Sequence, residues 1–296
     1  WRAAQRHAVF MGKRLPQYVK ERDGAWHLWF RRDLWNSGVW DGVRQLIAEE
    51  RPSKHPRTVE LRVSGAQQPL FVKTFFATSA FASLKDCLRR SKAVCALFVA
   101  QELHGFGFNA PIAIGAGDER YGAFLRRAFL VTLPVQGCSL PQYLRDRFDD
   151  PRAGLAVRQK RETVARLAVE IKKFHDLGFV HGDLVPGNIF VTFEPSGTAR
   201  FCFMDNDRTC RYPIWLRQRL WRRNLVQLNR FPLAGISLQD RMRFFHAYVK
   251  LGELGPKERK LARWLEEKTR QRRKECDAVD TSRSFRMLMR WDGPAH

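Results

Sequence analysis

The chain has 296 residues, of which 44% are hydrophobic and 12% aromatic, as is typical of a folded globular protein and not of a disordered one. Its 53 Lys and Arg against 30 Asp and Glu give a formal net charge of +23. A surface this basic attracts polyanions, which means nucleic acid, anionic lipid headgroups or a phosphorylated substrate. The longest apolar run, Ala93 to Ala100, is far shorter than the roughly 20 residues of a membrane-spanning helix, so no spanning segment is predicted.

The first half of the chain predicts mainly β-structure. Residues 1–50 are rich in Trp and Arg and show weak periodicity. Further on, alternating and apolar runs predict strands, and a long apolar stretch that ends at Gly105 predicts a helix. The predicted strands are Leu28–Phe30, Thr58–Val63, Leu70–Phe76, Pro111–Ile114 and Ala128–Leu133, and the predicted helix runs from near Ser83 to Leu103.

The second half predicts mainly helices. Within 155–177, apolar residues recur at steps of three and four, which indicates a helix with one face in a core. Two short strands, 188–193 and 200–204, flank a sequence typical of a hairpin turn at Glu194–Thr198. From about Ile214 onward, large apolar residues alternate with Arg and Lys in a helical pattern. The segment 208–274 holds 19 Lys and Arg against 5 Asp and Glu, so the positive charge concentrates there.

The run His181–Val191 carries the clearest chemical signal. Asp183 precedes Asn188 by five residues, in a turn between a predicted helix and an apolar strand. A carboxylate that accepts the proton of an attacking hydroxyl, with a nearby amide oxygen on Mg²⁺, is the pairing that phosphoryl transfer from ATP requires. A further carboxylate, Asp205, follows the next strand and is a predicted second ligand for Mg²⁺. For His181 we favour a structural, buried role.

Lys73 is the predicted ATP-binding lysine. It follows Phe71 and Val72 on an alternating strand, about 110 residues before Asp183, which is the pattern of a strand that presents an ammonium group to the phosphates. The acidic partner of this lysine is left open by the sequence. No glycine-rich phosphate loop precedes the Thr58 strand. The basic run 51–57 stands there instead, and it is either a phosphate-contacting loop or an ordinary solvated one.

These elements and motifs together predict an α+β, two-lobed protein-kinase-like fold, with a small β-rich N-lobe and a larger helical C-lobe. We assign the N-lobe to 51–133 and the helical C-lobe, with the catalytic loop and the basic helices, to 134–296. Residues 1–50 are an N-terminal extension that is either separate or part of the N-lobe. The six cysteines form no Cys-x-x-Cys pair and no cluster with zinc spacing, which favours a reducing, cytosolic setting.

The sequence resembles the lipopolysaccharide core kinases, which include the Kdo and heptose kinases of Gram-negative bacteria. The likeness covers about residues 58–250. It lies in Val180–Val191 with Met204–Asp205, in Ser91–Ala93 with Leu103, Gly107 and Pro111, and in Arg223–Leu225 with Leu228–Arg230, followed by Asp240–Arg241, Phe244–Phe245 and Tyr248.

The resemblance implies transfer of the ATP γ-phosphate to a hydroxyl of an inner-core sugar. By position it makes Asp183 the catalytic base, Lys73 the ATP-binding residue, and Asn188 and Asp205 the ligands of Mg²⁺. It also implies a lipid A–core glycolipid as acceptor and peripheral association with the anionic cytoplasmic face of the inner membrane, which would account for the charge. Nucleic acid is not expected as a partner. The alternatives are a small-molecule phosphotransferase, an atypical protein kinase and a non-catalytic nucleotide-binding scaffold.

Overall fold

A computed structural model describes residues 18–279 of the chain, except 54, 64–67, 78–88, 149–153, 232, 234 and 250–253. The chain divides into two compact units. The first, which we call the sheet unit, extends to Gln136 and also includes Cys202–Cys210. The second, the helical unit, consists of Gly137–Phe201 and the chain from Arg211 onward.

The sheet unit is built on a six-stranded antiparallel sheet. The strands are β1 (Tyr18–Asp23), β2 (Trp26–Arg31), β3 (Arg57–Leu61), β4 (Leu70–Phe76), β5 (Ala113–Tyr121) and β6 (Phe124–Thr132). Their order in the sheet is β1-β2-β5-β6-β4-β3, so the N-terminal hairpin of β1 and β2 and the hairpin that carries Lys73 lie at opposite edges. The N-terminal hairpin comes from the segment for which the sequence showed weak periodicity.

One helix packs on each face of this sheet. The apolar residues of β2 that alternate with Trp29, such as Leu28, form a core with α1 (Ser37–Glu49). Trp29 belongs to the core on the other face, which contains residues of α2 (Lys92–Gly105). The alternation of side chains along a strand thus gives the sheet two buried faces, and each helix fills one of them.

The helix predicted from near Ser83 begins later than expected. Ser83 lies outside the described residues, but residues 89–91 are described and are not helical, and α2 begins at Lys92. The hydroxyl of Ser91 explains this start, because its oxygen accepts a hydrogen bond from Val94 N at 3.2 Å and so caps the helix. Gly105 is the last helical residue, and Gly107, with a φ of 77°, takes the left-handed conformation at the helix end.

The remaining helices are α3 (Leu140–Phe148), α4 (Gly154–Asp176), α5 (Ile214–Leu228), α6 (Leu238–Val249) and α7 (Pro256–Val279), and the remaining strands are β7 (Cys138–Ser139), β8 (Phe179–Val180), β9 (Ile189–Phe193), β10 (Ala199–Phe203) and β11 (Cys210–Arg211). The helix predicted within 155–177 is α4, in which Leu167, Ile171 and Phe174 are buried, as the periodicity indicated. The predicted hairpin is formed by β9 and β10, and β9 also pairs with the short strand β7.

Gly178 makes the sharp turn that leads from α4 into β8 and the segment His181–Val191. Its φ is 89°, and an added Cβ would lie 2.5 Å from the main-chain oxygen of Tyr212. The oxygen of Gly178 accepts a hydrogen bond from Tyr212 N at 2.8 Å. Both the left-handed conformation and this close approach require glycine. Among the helices of the described residues, none is long and apolar enough to cross a bilayer.

Candidate active site

Lys73 and Asp205 form an ion pair within the sheet unit. Lys73 lies on β4, paired in register with Thr58 of β3 and Leu130 of β6. Its Nζ donates a hydrogen bond to Asp205 Oδ1. The sequence left the acidic partner of Lys73 open, and in this structure the partner is the carboxylate that the sequence assigned to Mg²⁺.

Asp205 is held in an unusual backbone conformation. Its φ and ψ are 54° and 53°, in the left-handed region, and no other non-glycine residue of the described chain has a positive φ. This conformation costs an L-residue about 1–2 kcal/mol, so the surrounding chain has to impose it. Just before it, Phe203 N donates to Asn109 O at 2.9 Å, which anchors the end of β10.

The turn after Asp205 is fixed by Asn206, a residue for which the sequence predicted no role. Asn206 is buried, and its Nδ2 donates to Phe203 O at 2.6 Å. Its Oδ1 accepts from the hydroxyl of Thr209 at 3.1 Å. These bonds close a 3₁₀ turn over Asn206–Arg208, so the residues on each side of Asn206, Asp205 and Asp207, have defined positions.

Asp207 is the second carboxylate of this turn, and its electrostatic environment is distinctive. Burial raises the pKa of Asp207, and the negative charge of Asp205 raises it further, while Lys73, Arg208 and Lys92 act in the opposite direction. A cation close to both carboxylates would relieve this penalty. The donor set of the turn therefore suits a divalent cation bound through oxygen.

Mg²⁺ keeps most of its coordination for water and phosphate oxygens and needs only one or two protein carboxylates. Within the described ranges, no three or more His, Cys, Asp or Glu side chains are grouped as they would be in a metal site built wholly from protein. The two carboxylates of Asp205 and Asp207 are therefore sufficient for a magnesium ion whose remaining ligands are water and phosphate oxygens.

Asp183 and Asn188 are brought together in the helical unit by a closed turn. Asn188 Nδ2 donates to the main-chain oxygen of Asp183 at 3.0 Å. The same oxygen accepts from Val185 N at 2.9 Å, and Asn188 N donates to Val185 O at 2.9 Å. Leu184 is fully buried and anchors the turn. Because Nδ2 of Asn188 is used inside the turn, the atom it can offer to a cation is Oδ1.

His181 is buried, as we expected for a structural histidine. Its Nδ1 accepts a hydrogen bond from Asp183 N at 3.1 Å. Its main chain is held by Asn224 of α5, which accepts from His181 N at 2.9 Å and donates to His181 O at 2.6 Å. In the sequence, Asn224 is distinguished only by its place in the family resemblance, and no local signal links it to a turn 43 residues away.

The four predicted site residues thus form two pairs, Lys73 with Asp205 in the sheet unit and Asp183 with Asn188 in the helical unit. The basic segment before β3 is irregular in its described part, and β3 begins at Arg57. The roles of the four residues in catalysis stay predictions.

Comparison with known proteins gives the family. The model of the lipopolysaccharide kinase (Kdo/WaaP) family matches residues 79–248, a segment that includes Asp183, Asn188 and Asp205 and begins shortly after Lys73. No curated protein sequence matches the chain.

Solved structures give the fold. A structure described as WaaP in complex with acyl carrier protein matches with a TM-score of 0.59 and 20% identity, over 79% of this chain and 95% of that one. The PknI kinase domain of Mycobacterium tuberculosis, as a double mutant, gives a TM-score of 0.37 and 18% identity, over 70% of this chain and 76% of that one. The predicted α+β, two-lobed protein-kinase-like fold is confirmed. With more than half of its length matched by the family model, this chain belongs to the lipopolysaccharide kinase (Kdo/WaaP) family.

Proposed function

We propose that this protein is an ATP-dependent kinase that transfers the γ-phosphate to a hydroxyl of an inner-core sugar of lipopolysaccharide, either Kdo or heptose. The observation that carries the proposal is the closed turn from His181 to Asn188, which lies inside the family match and fixes Asp183 through its main chain. The Lys73–Asp205 ion pair supports it independently, since Lys73 lies outside the segment that the family model covers.

Asp183 is the proposed catalytic base. Its main-chain N and O both take part in the turn, so the backbone holds the residue while the carboxylate is left for chemistry. In a loose phosphoryl-transfer transition state the task of this group is to orient the attacking hydroxyl and to accept its proton. We assign this role to a carboxylate oxygen of Asp183.

Lys73, Asp205 and Asn188 are the proposed nucleotide and metal ligands. MgATP, when bound, supplies the phosphoryl group together with positive charge that neutralises the phosphate oxygens. We assign Asp205 and the Oδ1 atom of Asn188 each to magnesium, and the Lys73 ammonium to phosphate oxygens. The ion pair of Lys73 with Asp205 supports this, because it places a cation against the carboxylate that is assigned to the metal.

The decisive experiment is a transfer assay. Purified protein is incubated with labelled ATP and defined inner-core glycolipids that end in Kdo or in heptose, and the position of the phosphate is located by mass spectrometry. Phosphate on one of the two sugars is the expected result and names the acceptor. Absence of label from every glycolipid, with turnover on another acceptor, would refute the assignment.

The same assay distinguishes the alternatives. A small-molecule phosphotransferase of the antibiotic or choline type would label aminoglycosides or choline, and an atypical protein kinase would label protein. A nucleotide-binding scaffold would bind ATP without turnover on any acceptor. The basic C-terminal half of the chain favours a lipid-linked acceptor over these substrates, because a small soluble acceptor gives no reason for such a surface.

We also propose peripheral docking on the anionic cytoplasmic face of the inner membrane. The helical unit offers Trp215, which is 67% exposed, at the start of α5. Trp221, by contrast, packs on Tyr248 with ring centroids 5.7 Å apart, so it is a packing residue. The helix α7 carries many Lys and Arg residues, each of which contributes on the order of 1 kcal/mol of attraction near an anionic surface.

The docking proposal is tested by the salt dependence of membrane binding. Binding to vesicles with anionic lipid should weaken as the salt concentration rises. Binding that is undiminished at high salt would contradict electrostatic docking.

A cavity in the helical unit suggests one more partner. It has a volume of about 470 Å³, within the usual range of ligand sites, and its walls are mostly apolar side chains of α3 to α7. Two polar atoms on its lining, Arg241 Nε and Thr269 Oγ1, are buried and make no hydrogen bond in the described part of the chain. Since the WaaP structure was solved with acyl carrier protein, we propose that this cavity receives the acyl chain of such a partner.

The acyl proposal is tested with acyl carrier protein in loaded and unloaded forms. The form that carries a long acyl chain should co-elute with the kinase, and the unloaded form should not. Ala262→Phe, which places a bulky side chain on the cavity lining, should abolish this preference. Equal binding of both forms would refute the proposal.

A further inference from the structure

A two-point contact from Asn224 fixes the main chain just before Asp183. The Oδ1 atom accepts from His181 N at 2.9 Å, and Nδ2 donates to His181 O at 2.6 Å. Because the backbone N–H can only donate and the C=O can only accept, these partners fix the orientation of the amide. Nδ2 also donates to Gln227 Oε1 at 3.0 Å, which leaves Gln227 Nε2 to donate to Gly182 O at 3.3 Å.

Asn224 also contacts a buried histidine, His175, in which the direction of each hydrogen bond can be assigned. His175 Nε2 lies 3.2 Å from Asn224 Oδ1, and Oδ1 can only accept, so Nε2 carries the hydrogen. Burial lowers the pKa of His175 to about 4, so the ring is neutral at pH 7 and Nδ1 is an acceptor. The hydroxyl of Tyr248, 2.9 Å away, therefore donates to Nδ1.

The result is a directed chain of hydrogen bonds from Tyr248 on α6, through His175 on α4, to Asn224 on α5 and the catalytic turn. All three side chains are at most 4% exposed. Buried polar groups of this kind are stabilising only when each finds its partner, and here each link satisfies the next. Side chains from three helices thus act in series on the main chain of His181, two residues before the proposed base.

We propose that Asn224, His175 and Tyr248 are positioning residues for phosphoryl transfer, which hold the His181–Asp183 backbone in its reactive geometry. The role in transfer rests on the proposed function. A displacement of about 1 Å at a reacting group can cost roughly 10²-fold in rate. Removal of Asn224 should therefore lower kcat by about that factor, and removal of the outermost link, the Tyr248 hydroxyl, should lower it by less, on the order of tenfold.

The test compares Tyr248→Phe and Asn224→Ala with the wild type. Both variants should lower kcat by a larger factor than they raise the KM for ATP, because the contacts hold the backbone next to the proposed base, whereas Lys73, the proposed phosphate ligand, lies in the sheet unit. Should Asn224→Ala fail to fold, the milder Tyr248→Phe still decides the question. Hydrogen exchange adds a local measurement: the amide of Asp183, which donates to His181 Nδ1, should exchange faster in Tyr248→Phe.

Tyr143→Phe is the matched control. Tyr143 is also a buried tyrosine of the helical unit, 2% exposed, and its hydroxyl lies 3.3 Å from Thr163 Oγ1 of α4. Its loss should lower the melting temperature by a similar amount without lowering kcat. If Tyr248→Phe lowers kcat no more than Tyr143→Phe does, and the exchange of Asp183 N–H is unchanged, the positioning role is overturned.

Failure of the proposed function would be visible separately. A wild-type protein that transfers phosphate to no glycolipid refutes the sugar kinase assignment. The hydrogen-exchange comparison of the two tyrosine variants needs no turnover, because it measures the protection of the Asp183 amide itself. Faster exchange at Asp183 in Tyr248→Phe, beyond that in Tyr143→Phe, supports the hydrogen-bond chain even then, and equal exchange overturns it.

Discussion

The substitution Asp183→Asn is the sharpest probe of the proposed mechanism, because the structure separates the backbone of this residue from its carboxylate. The three hydrogen bonds that place Asp183 join its N to His181 and its O to Val185 and Asn188, and all three use main-chain atoms. The change from carboxylate to amide leaves each of them in place. The free energy of unfolding should therefore change by no more than about 0.5 kcal/mol.

The loss should appear in turnover alone. Removal of a general base costs about 10²–10⁴-fold in rate, which corresponds to roughly 2.7–5.4 kcal/mol of transition-state stabilisation at about 1.36 kcal/mol per decade. The KM for ATP should hardly change, since Asp183 is assigned to the acceptor hydroxyl. Initial rates at saturating ATP, with thermal unfolding measured on the same samples, separate the two effects.

Asp146→Asn is the control, since Asp146 is an exposed carboxylate on α3 of the same unit. It should leave both the rate and the melting temperature at wild-type values. Full activity in Asp183→Asn would refute the role of Asp183 as base. A fall in rate that is matched by loss of folded protein would instead mean that the carboxylate supports the turn, against the geometry described above.

Three further predictions follow from other parts of the site. Asp205→Ala should abolish Mg²⁺-dependent turnover, and the pKa of Asp207 should fall, because Asp205 is one of the groups that raise it; NMR titration of the Asp207 carboxyl measures this. Gly178→Ala should cost about 2–4 kcal/mol in denaturant unfolding, from a left-handed φ and a Cβ 2.5 Å from Tyr212 O. The pKa of His175 is about 4 in the folded state, against 6.5 when unfolded, so stability that is present above pH 6.5 should be lost as the pH falls from 6.5 to 4. The loss is about 3 kcal/mol by linkage, and unfolding curves measured at several pH values between 7 and 4 check it.

Local sequence was sufficient to predict the turn that joins Asp183 and Asn188, because the two residues are only five positions apart. It was insufficient where a partner is distant. In the sequence, Asn224 is one polar residue on a predicted basic amphipathic helix. Its hydrogen bond to the main chain of His181, 43 residues earlier, depends on the tertiary fold. The partner of Lys73 was left open for the same reason, since Asp205 is 132 residues away.

The two central strands were predicted too short because charged residues interrupt the apolar pattern. In β5 and β6 those charges are paired inside the sheet unit: Glu119 Oε2 lies 2.5 Å from Arg127 Nε, and Asp118 Oδ2 lies 3.3 Å from Arg120 Nη2. A buried charge that loses its partner is strongly destabilising, so these strands depend on the pairing, and a sequence pattern does not show which charges are paired. The strands therefore run to Tyr121 and from Phe124.

The two pairs of site residues are held by different physical means, and this has a consequence for their sensitivity to solution conditions. The turn of Asp183 depends on neutral hydrogen bonds, which salt does not screen. Lys73, Asp205 and Asp207 depend on charge, and their partly exposed ion pair is screened as ionic strength rises. Salt should therefore act on nucleotide and metal affinity, through KM for ATP and the Mg²⁺ requirement, while kcat at saturating MgATP stays nearly constant.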